Sequence, residues 1–159
     1  MSKERDEDTS EDAEEFLERG KKAHDSGEYD EAIRCYDRAT SIDPENSDAW
    51  HNKGWIYMLE VEYEKAIRCF DRASSIDPYN KETWNNKGWA YYEEGKYNDA
   101  IKCFDKAISI DSNDKWAWYS KGRTHEKKGE IEEAKRCYKK SLSIDPDQPD
   151  IKDRLIDLN

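Results

Sequence analysis

Three histidines, four cysteines, seven glycines and four prolines are the whole stock of several chemically telling residues in a chain of 159. His24, His51 and His125 lie far apart, no glycine-rich phosphate loop is present, and no nucleophile elbow occurs. Nothing assembles into a catalytic constellation or calls for a cofactor, so a non-catalytic protein is expected. No apolar run approaches the ~18 residues of a spanning helix, and the N-terminus lacks the basic and apolar segments of a secretory signal. A cytoplasmic location is the expectation.

Excess positive charge is missing too. Lys and Arg number 27 against 38 Asp and Glu, a net charge of −11, which gives no attraction to nucleic acid or an anionic membrane. More than half of it sits in residues 1–15, where two basic residues face eight acidic ones for a net −6. Residues 1–12 are expected to be an acidic disordered tail.

What the chain does contain is a period. Cys35, Cys69, Cys103 and Cys137 stand 34 residues apart, each three residues after an alanine, Ala32, Ala66, Ala100 or Ala134. They mark units 13–46, 47–80, 81–114 and 115–148, and the second and third units agree at 17 of 34 positions. Equivalent positions in stacked units cannot bring Cα atoms within the ~7 Å of a disulfide, since even packed helices lie ~8–10 Å apart. No Cys-x-x-Cys pair supports a zinc site. The cysteines read as small, half-buried scaffold residues in a reducing compartment.

Each unit carries two helical patterns. In the second, Trp50, Gly54 and Tyr57 share one face, and Ala66, Phe70 and Ala73 share another. Gly27, Gly95 and Gly129 suit the turn between the two helices, whereas Val61 in the equivalent place requires the first helix to end another way or run on. Between units, Asp43-Pro44-Glu45-Asn46 and its counterparts stop one helix and cap the next, with Ser112 replacing proline in the third junction.

These residues resemble the tetratricopeptide repeat family. Trp50, Gly54, Tyr57, Ala66, Phe70, Ala73 and Pro78 follow its pattern. The third unit repeats it with Trp84, Gly88, Tyr91, Ala100, Phe104 and Ala107, the fourth with Trp118, Gly122, Ala134, Tyr138 and Pro146. Lys53, Lys87 and Lys121 stand where the family has leucine; their aliphatic stems can cover apolar surface, and they are not read as a site. The resemblance implies an all-α, right-handed α-solenoid of antiparallel helical hairpins over residues 13–148. Residues 149–159, with Ile151, Leu155 and Leu158 on one face, would form a C-terminal capping helix.

The family's concave groove is lined by the first helix of each unit. Carried onto this chain, it gives Lys21 in the first unit and His51, Asn52, Trp55 and Met58 in the second. The third supplies Asn86, Trp89 and Tyr92, and the fourth Trp116, Tyr119 and Arg123. The aromatic residues would give apolar contact, and Asn52, Asn86, Lys21 and Arg123 orientation of an extended or helical peptide. The resemblance therefore implies a protein–protein interaction module, such as a scaffold or co-chaperone-like adaptor, with a self-associating homo-oligomer as the alternative. The chaperone-tail carboxylate clamp found in some members is not expected. Its positions read Leu17, Lys21, Asn52, Glu82 and Asn86 from the first unit, or His51, Trp55, Asn86, Trp116 and Ser120 from the second, so only the asparagine is kept.

Overall fold

The computed structural model describes residues 9–158, with side chains from residue 13, and they form helices joined by turns. They divide into two compact units, residues 1–78 and 79–159. The first holds α1 (Thr9–Asp25), α2 (Tyr29–Ile42), α3 (Ser47–Leu59) and α4 (Tyr63–Ile76). The second holds α5 (Lys81–Glu93), α6 (Tyr97–Ile110), α7 (Lys115–Lys127), α8 (Ile131–Ile144) and α9 (Pro149–Asp157). Helix α1 begins four residues inside the segment expected to be tail, and residues 1–8 lie outside the described residues. Successive helices pack as hairpins, α1 on α2 and α3 on α4 in the first unit, α5 on α6 and α7 on α8 in the second.

A hairpin closes this tightly because its first helix has no side chain at the crossing. A Cβ on Gly20, Gly54, Gly88 or Gly122 would come within 2.5, 2.8, 2.6 or 2.7 Å of the ring of Tyr36, Phe70, Phe104 or Tyr138. Each of those rings is fully buried. The small alanines Ala32, Ala66, Ala100 and Ala134, all at 0 % exposure, complete the crossing from the second helix. Such close-packed contacts tolerate little added volume.

Every hairpin turn ends its first helix in the same way. Gly27, Gly95 and Gly129 adopt φ of 76°, 74° and 79°, and Val61 adopts 63°. The paired bonds are also alike: Gly27 N–H donates to His24 O at 2.9 Å and Glu28 N–H to Ala23 O at 2.8 Å, while Val61 N–H donates to Met58 O at 3.1 Å and Glu62 N–H to Tyr57 O at 2.8 Å. The expectation that α3 ends differently is corrected. The satisfied helix-end carbonyls outweigh the cost of a β-branched residue in the left-handed region.

The first three junctions are capped as the sequence pattern predicts, whereas Gln148 before α9 makes no side-chain cap bond. Asn46 accepts from Ala49 N–H, Asn80 from Thr83 N–H, and Asp114 from the N–H groups of Trp116 and Ala117. The tryptophan four places into the repeat locks the turn before it, because Trp50 Nε1 donates to Pro44 O at 3.1 Å and Trp118 Nε1 to Ser112 O at 3.0 Å. Ser112 thus serves as acceptor where proline is absent.

Two of the lysines in the leucine column, one in each unit, are paired across neighbouring helices. Lys53 of α3 meets Asp37 of α2, and Lys121 of α7 meets Asp105 of α6 at 2.6 Å. Burial is the largest single influence on the Lys53 ammonium and works against it, but the hydrogen bond to Asp37 and that carboxylate's charge together outweigh it and its pKa rises. All four cysteines are buried and free. Burial pushes the Cys69 thiol up to about 11.

Candidate functional site

In the first unit the expected site residues fall on α1 and α3. Lys21 is half-buried and bound to Glu18 at 2.7 Å. That bond, with the charges of Asp48 and Glu14, outweighs burial and raises the ammonium's pKa. His51 stands edge-on to Phe70, ring centroids 5.7 Å apart, and so belongs to the hairpin's packing. Asn52 donates its amide to Asp48 O at 2.8 Å on its own helix. Trp55 and Met58 are half-buried, with Leu59 exposed beside them.

In the second unit the site residues lie on α5 and α7, which touch. Trp89 is half-buried and meets Tyr92 edge-on at 5.0 Å and Phe104 at 6.1 Å. Tyr92 itself is only 6 % exposed. The guanidinium of Arg123 reaches across from α7, 5.4 Å from both the Trp89 and Tyr92 ring centroids, and donates to the Tyr92 hydroxyl at 3.2 Å. Arg123 therefore has one of its five donors committed inside the unit and stacks on both rings, and Tyr92 braces Trp89 edge-on. Asn86 is half-buried on the same helix.

Further along α7, Trp116 is 61 % exposed. Tyr119 is half-buried, its ring 6.0 Å from that of the buried Tyr138. Glu126 binds α8 and α9 to this helix, accepting from the Tyr138 hydroxyl at 2.5 Å and from Arg154 at 3.2 Å. Burial first, and then Glu126, raises the Tyr138 hydroxyl's pKa. Helix α9 seats Ile151 against Ala134 and Tyr138, with Leu155 and Leu158 packed around them.

Between α7 and α9 lies a recess of about 240 Å³ walled by Trp116 and Tyr119 on one side and by Asp147, Asp150 and Ile151 on the other, with Lys115 at its edge. Sequence reasoning finds Trp116 and Tyr119 but not the acidic wall. Pro149 at the first position of α9 and Asp150 in its first turn are visible signs of a helix start. Only the fold sets that start beside α7. Among the described residues no group of His, Cys, Asp and Glu could hold a metal ion, and no helix is long and apolar enough to cross a membrane.

The tetratricopeptide repeat model matches residues 47–80, 82–114 and 116–148, and a second model described as TPR repeat matches residues 20–61. No curated protein sequence matches the chain. Among solved structures, a crystal structure of MamA is similar at 27 % identity and TM-score 0.82, over 84 % of this chain and 78 % of that one. Pseudomonas aeruginosa PilF shares the fold at 22 % identity and TM-score 0.82, over 94 % and 68 %. The first TPR of Spaghetti (RPAP3), bound to the HSP90 peptide SRMEEVD, shares it at 24 % identity and TM-score 0.69, over 73 % and 92 %.

Proposed function

The chain belongs to the tetratricopeptide repeat family, an α-solenoid fold of protein–protein interaction modules, and from that premise we propose that the α5–α7 face of its second unit binds an extended segment of a partner protein. One observation carries this reading. Trp89, Trp116 and Tyr119 occupy first-helix face positions, and each keeps surface open to solvent after its hairpin has packed. In a chain that is 41 % charged, an aromatic strip of this kind is what contact surfaces are made of.

Trp116 and Tyr119 supply the open apolar contact, and Trp89 is held ready by Tyr92 and Arg123. Asn86 is the amide placed to pair with a peptide backbone. The first unit offers a smaller face of the same kind, with Trp55 and Met58 as apolar groups and Lys21, His51 and Asn52 at its edge. That RPAP3 was solved with a peptide bound supports the mode of use, and its peptide SRMEEVD does not transfer, because the clamp lysines and arginine are absent here. The free, buried thiols suit a cytoplasmic scaffold or adaptor.

A display library of random peptides tests the face directly. Selected peptides should bind with dissociation constants on the order of micromolar. They should lose at least about tenfold on W89A/W116A, and a smaller factor on W116A alone, while the helical circular dichroism is retained. Undiminished binding to both variants refutes the assignment.

Self-association is the second reading. Ile156 lies 70 % exposed on α9, on a helix whose other apolar residues are packed. Sedimentation over a wide concentration range separates the readings, since a monomer throughout eliminates self-association.

A further inference from the structure

We propose that the recess between α7 and α9 is a pocket for a single basic side chain of the partner segment, arginine in first place. The inference rests on the peptide-binding reading and specifies the chemistry the segment carries at one position. Four observations converge on it.

The first is size. About 240 Å³ falls below the ~300–1,000 Å³ of sites for cofactors and drug-sized ligands, yet it has room for one long side chain. The second is the aromatic wall. Trp116 presents an open indole whose N–H has no partner among the described residues, unlike those of Trp50 and Trp118. A guanidinium stacks on such a face and attracts it electrostatically within ~6 Å of the ring centroid.

Charge supplies the third observation. Asp147 and Asp150 make no ion pair among the described residues. The cation in the lining, Lys115, lies 5.1 Å from the Trp116 ring but is already met by Asp145. With that pair cancelling, the carboxylates of Asp147 and Asp150 remain without a cationic side chain, held at the N-terminal end of α9. An acidic guest is repelled, and an aliphatic one draws no electrostatic gain from the two exposed carboxylates. Gln148 offers no alternative polar recognition, since its amide donates to the carbonyls of Ser141 and Asp145 and its oxygen accepts from the Ser141 hydroxyl.

The fourth is an internal precedent. Arg123 seated on Trp89 and Tyr92 at 5.4 Å shows that this fold already pairs an arginine with an aromatic couple at a first-helix face. Trp116 and Tyr119 repeat the three-residue spacing of Trp89 and Tyr92 and line the recess together, with Lys115 rather than an arginine 5.1 Å from the Trp116 ring.

The test uses the full chain and three capped pentapeptides, acetyl-Gly-Gly-Xaa-Gly-Gly-amide with arginine, leucine or glutamate at the centre. Nuclear magnetic resonance follows the Trp116 indole N–H and the Ile151 methyl. The arginine peptide should shift both resonances and bind at least about tenfold more tightly than the glutamate peptide. The surface variant D147N/D150N should weaken the arginine peptide by about tenfold and reduce its salt dependence. W116A should remove the Ile151 response to it.

Equal response to leucine or glutamate overturns the inference, as does arginine binding unchanged in D147N/D150N. The two proposals fail separately. Library peptides that depend on Trp89 but carry no basic residue and ignore D147N/D150N would leave peptide binding standing and overturn the pocket. If no library peptide binds at all, the pentapeptide titration still decides the pocket.

Discussion

Replacing Val61 with glycine should stabilise the first unit. Val61 is the one non-glycine residue with positive φ among those described, at 63°, and its side chain is 65 % exposed. An L-residue held in the left-handed region costs roughly 1–2 kcal/mol. Glycine removes that cost but gives back about 0.5–1 kcal/mol through its freer unfolded chain. Little packing is lost from so exposed a side chain, and the backbone bonds to Met58 O and Tyr57 O persist. The balance is a gain of about 0.5–1 kcal/mol, or roughly 1–4 °C in the midpoint of a domain this size.

Urea unfolding followed by circular dichroism is the assay, and the midpoint should rise with the slope unchanged. V61A serves as the control: it shortens the side chain but keeps the Cβ that the left-handed region disfavours, and so should gain less. A V61G midpoint at or below that of the parent refutes the reasoning, because it would mean that the turn carries no strain.

Two further outcomes follow from the packing and the ion pairs. G88A places a methyl 2.6 Å from the Phe104 ring; the overpacking cost of about 1–3 kcal/mol should exceed the ~1 kcal/mol gain in helix propensity, lowering the urea midpoint, and an unchanged or higher midpoint refutes the close-packed crossing. Asp111 and Asp145 are held below the ordinary aspartate value of 3.8, chiefly by bonds from Lys81 and Lys115 and then by the backbone N–H groups of Asn113 and Asp147. Depressed folded-state pKa values contribute stability above the unfolded value that is lost as pH falls through the folded one. The melting-temperature gap between the parent and K81M/K115M should therefore hold at neutral pH and narrow as pH falls below 3.8 through the lowered folded-state values, and a gap that is unchanged or wider at acid pH contradicts the assignment.

Most of the fold was legible because it is written locally. A 34-residue period, paired glycine and aromatic positions, and Asn or Asp caps are each visible within one unit of sequence. Val61 escaped this reading because its backbone is set by two hydrogen bonds at a helix end, and side-chain preference alone points the other way. The site was legible only as a set of helix-face positions. Trp89 and Tyr92 share a face of α5, yet an arginine 31 residues after Tyr92 covers the pair, and no single-helix pattern reveals it. The acidic wall beside Trp116 was hidden for the same reason, since it comes from the turn and helix that follow the hairpin Trp116 opens.

The lysine–aspartate seam bears on how long such an array can be. Lys53 follows Asp37 by 16 residues, and Lys121 follows Asp105 by the same interval. A chain that lost residues 81–114 would set Lys121 at that interval from Asp71. The seam carries no address, so a repeat can be gained or dropped by duplication or deletion without leaving a charge opposed to its like. The series breaks off at one place: Lys139 stands where the next aspartate would be, and the residue 16 further on is Leu155 of α9. With leucine there, α9 keeps the family's usual residue in that column and takes no part in the seam.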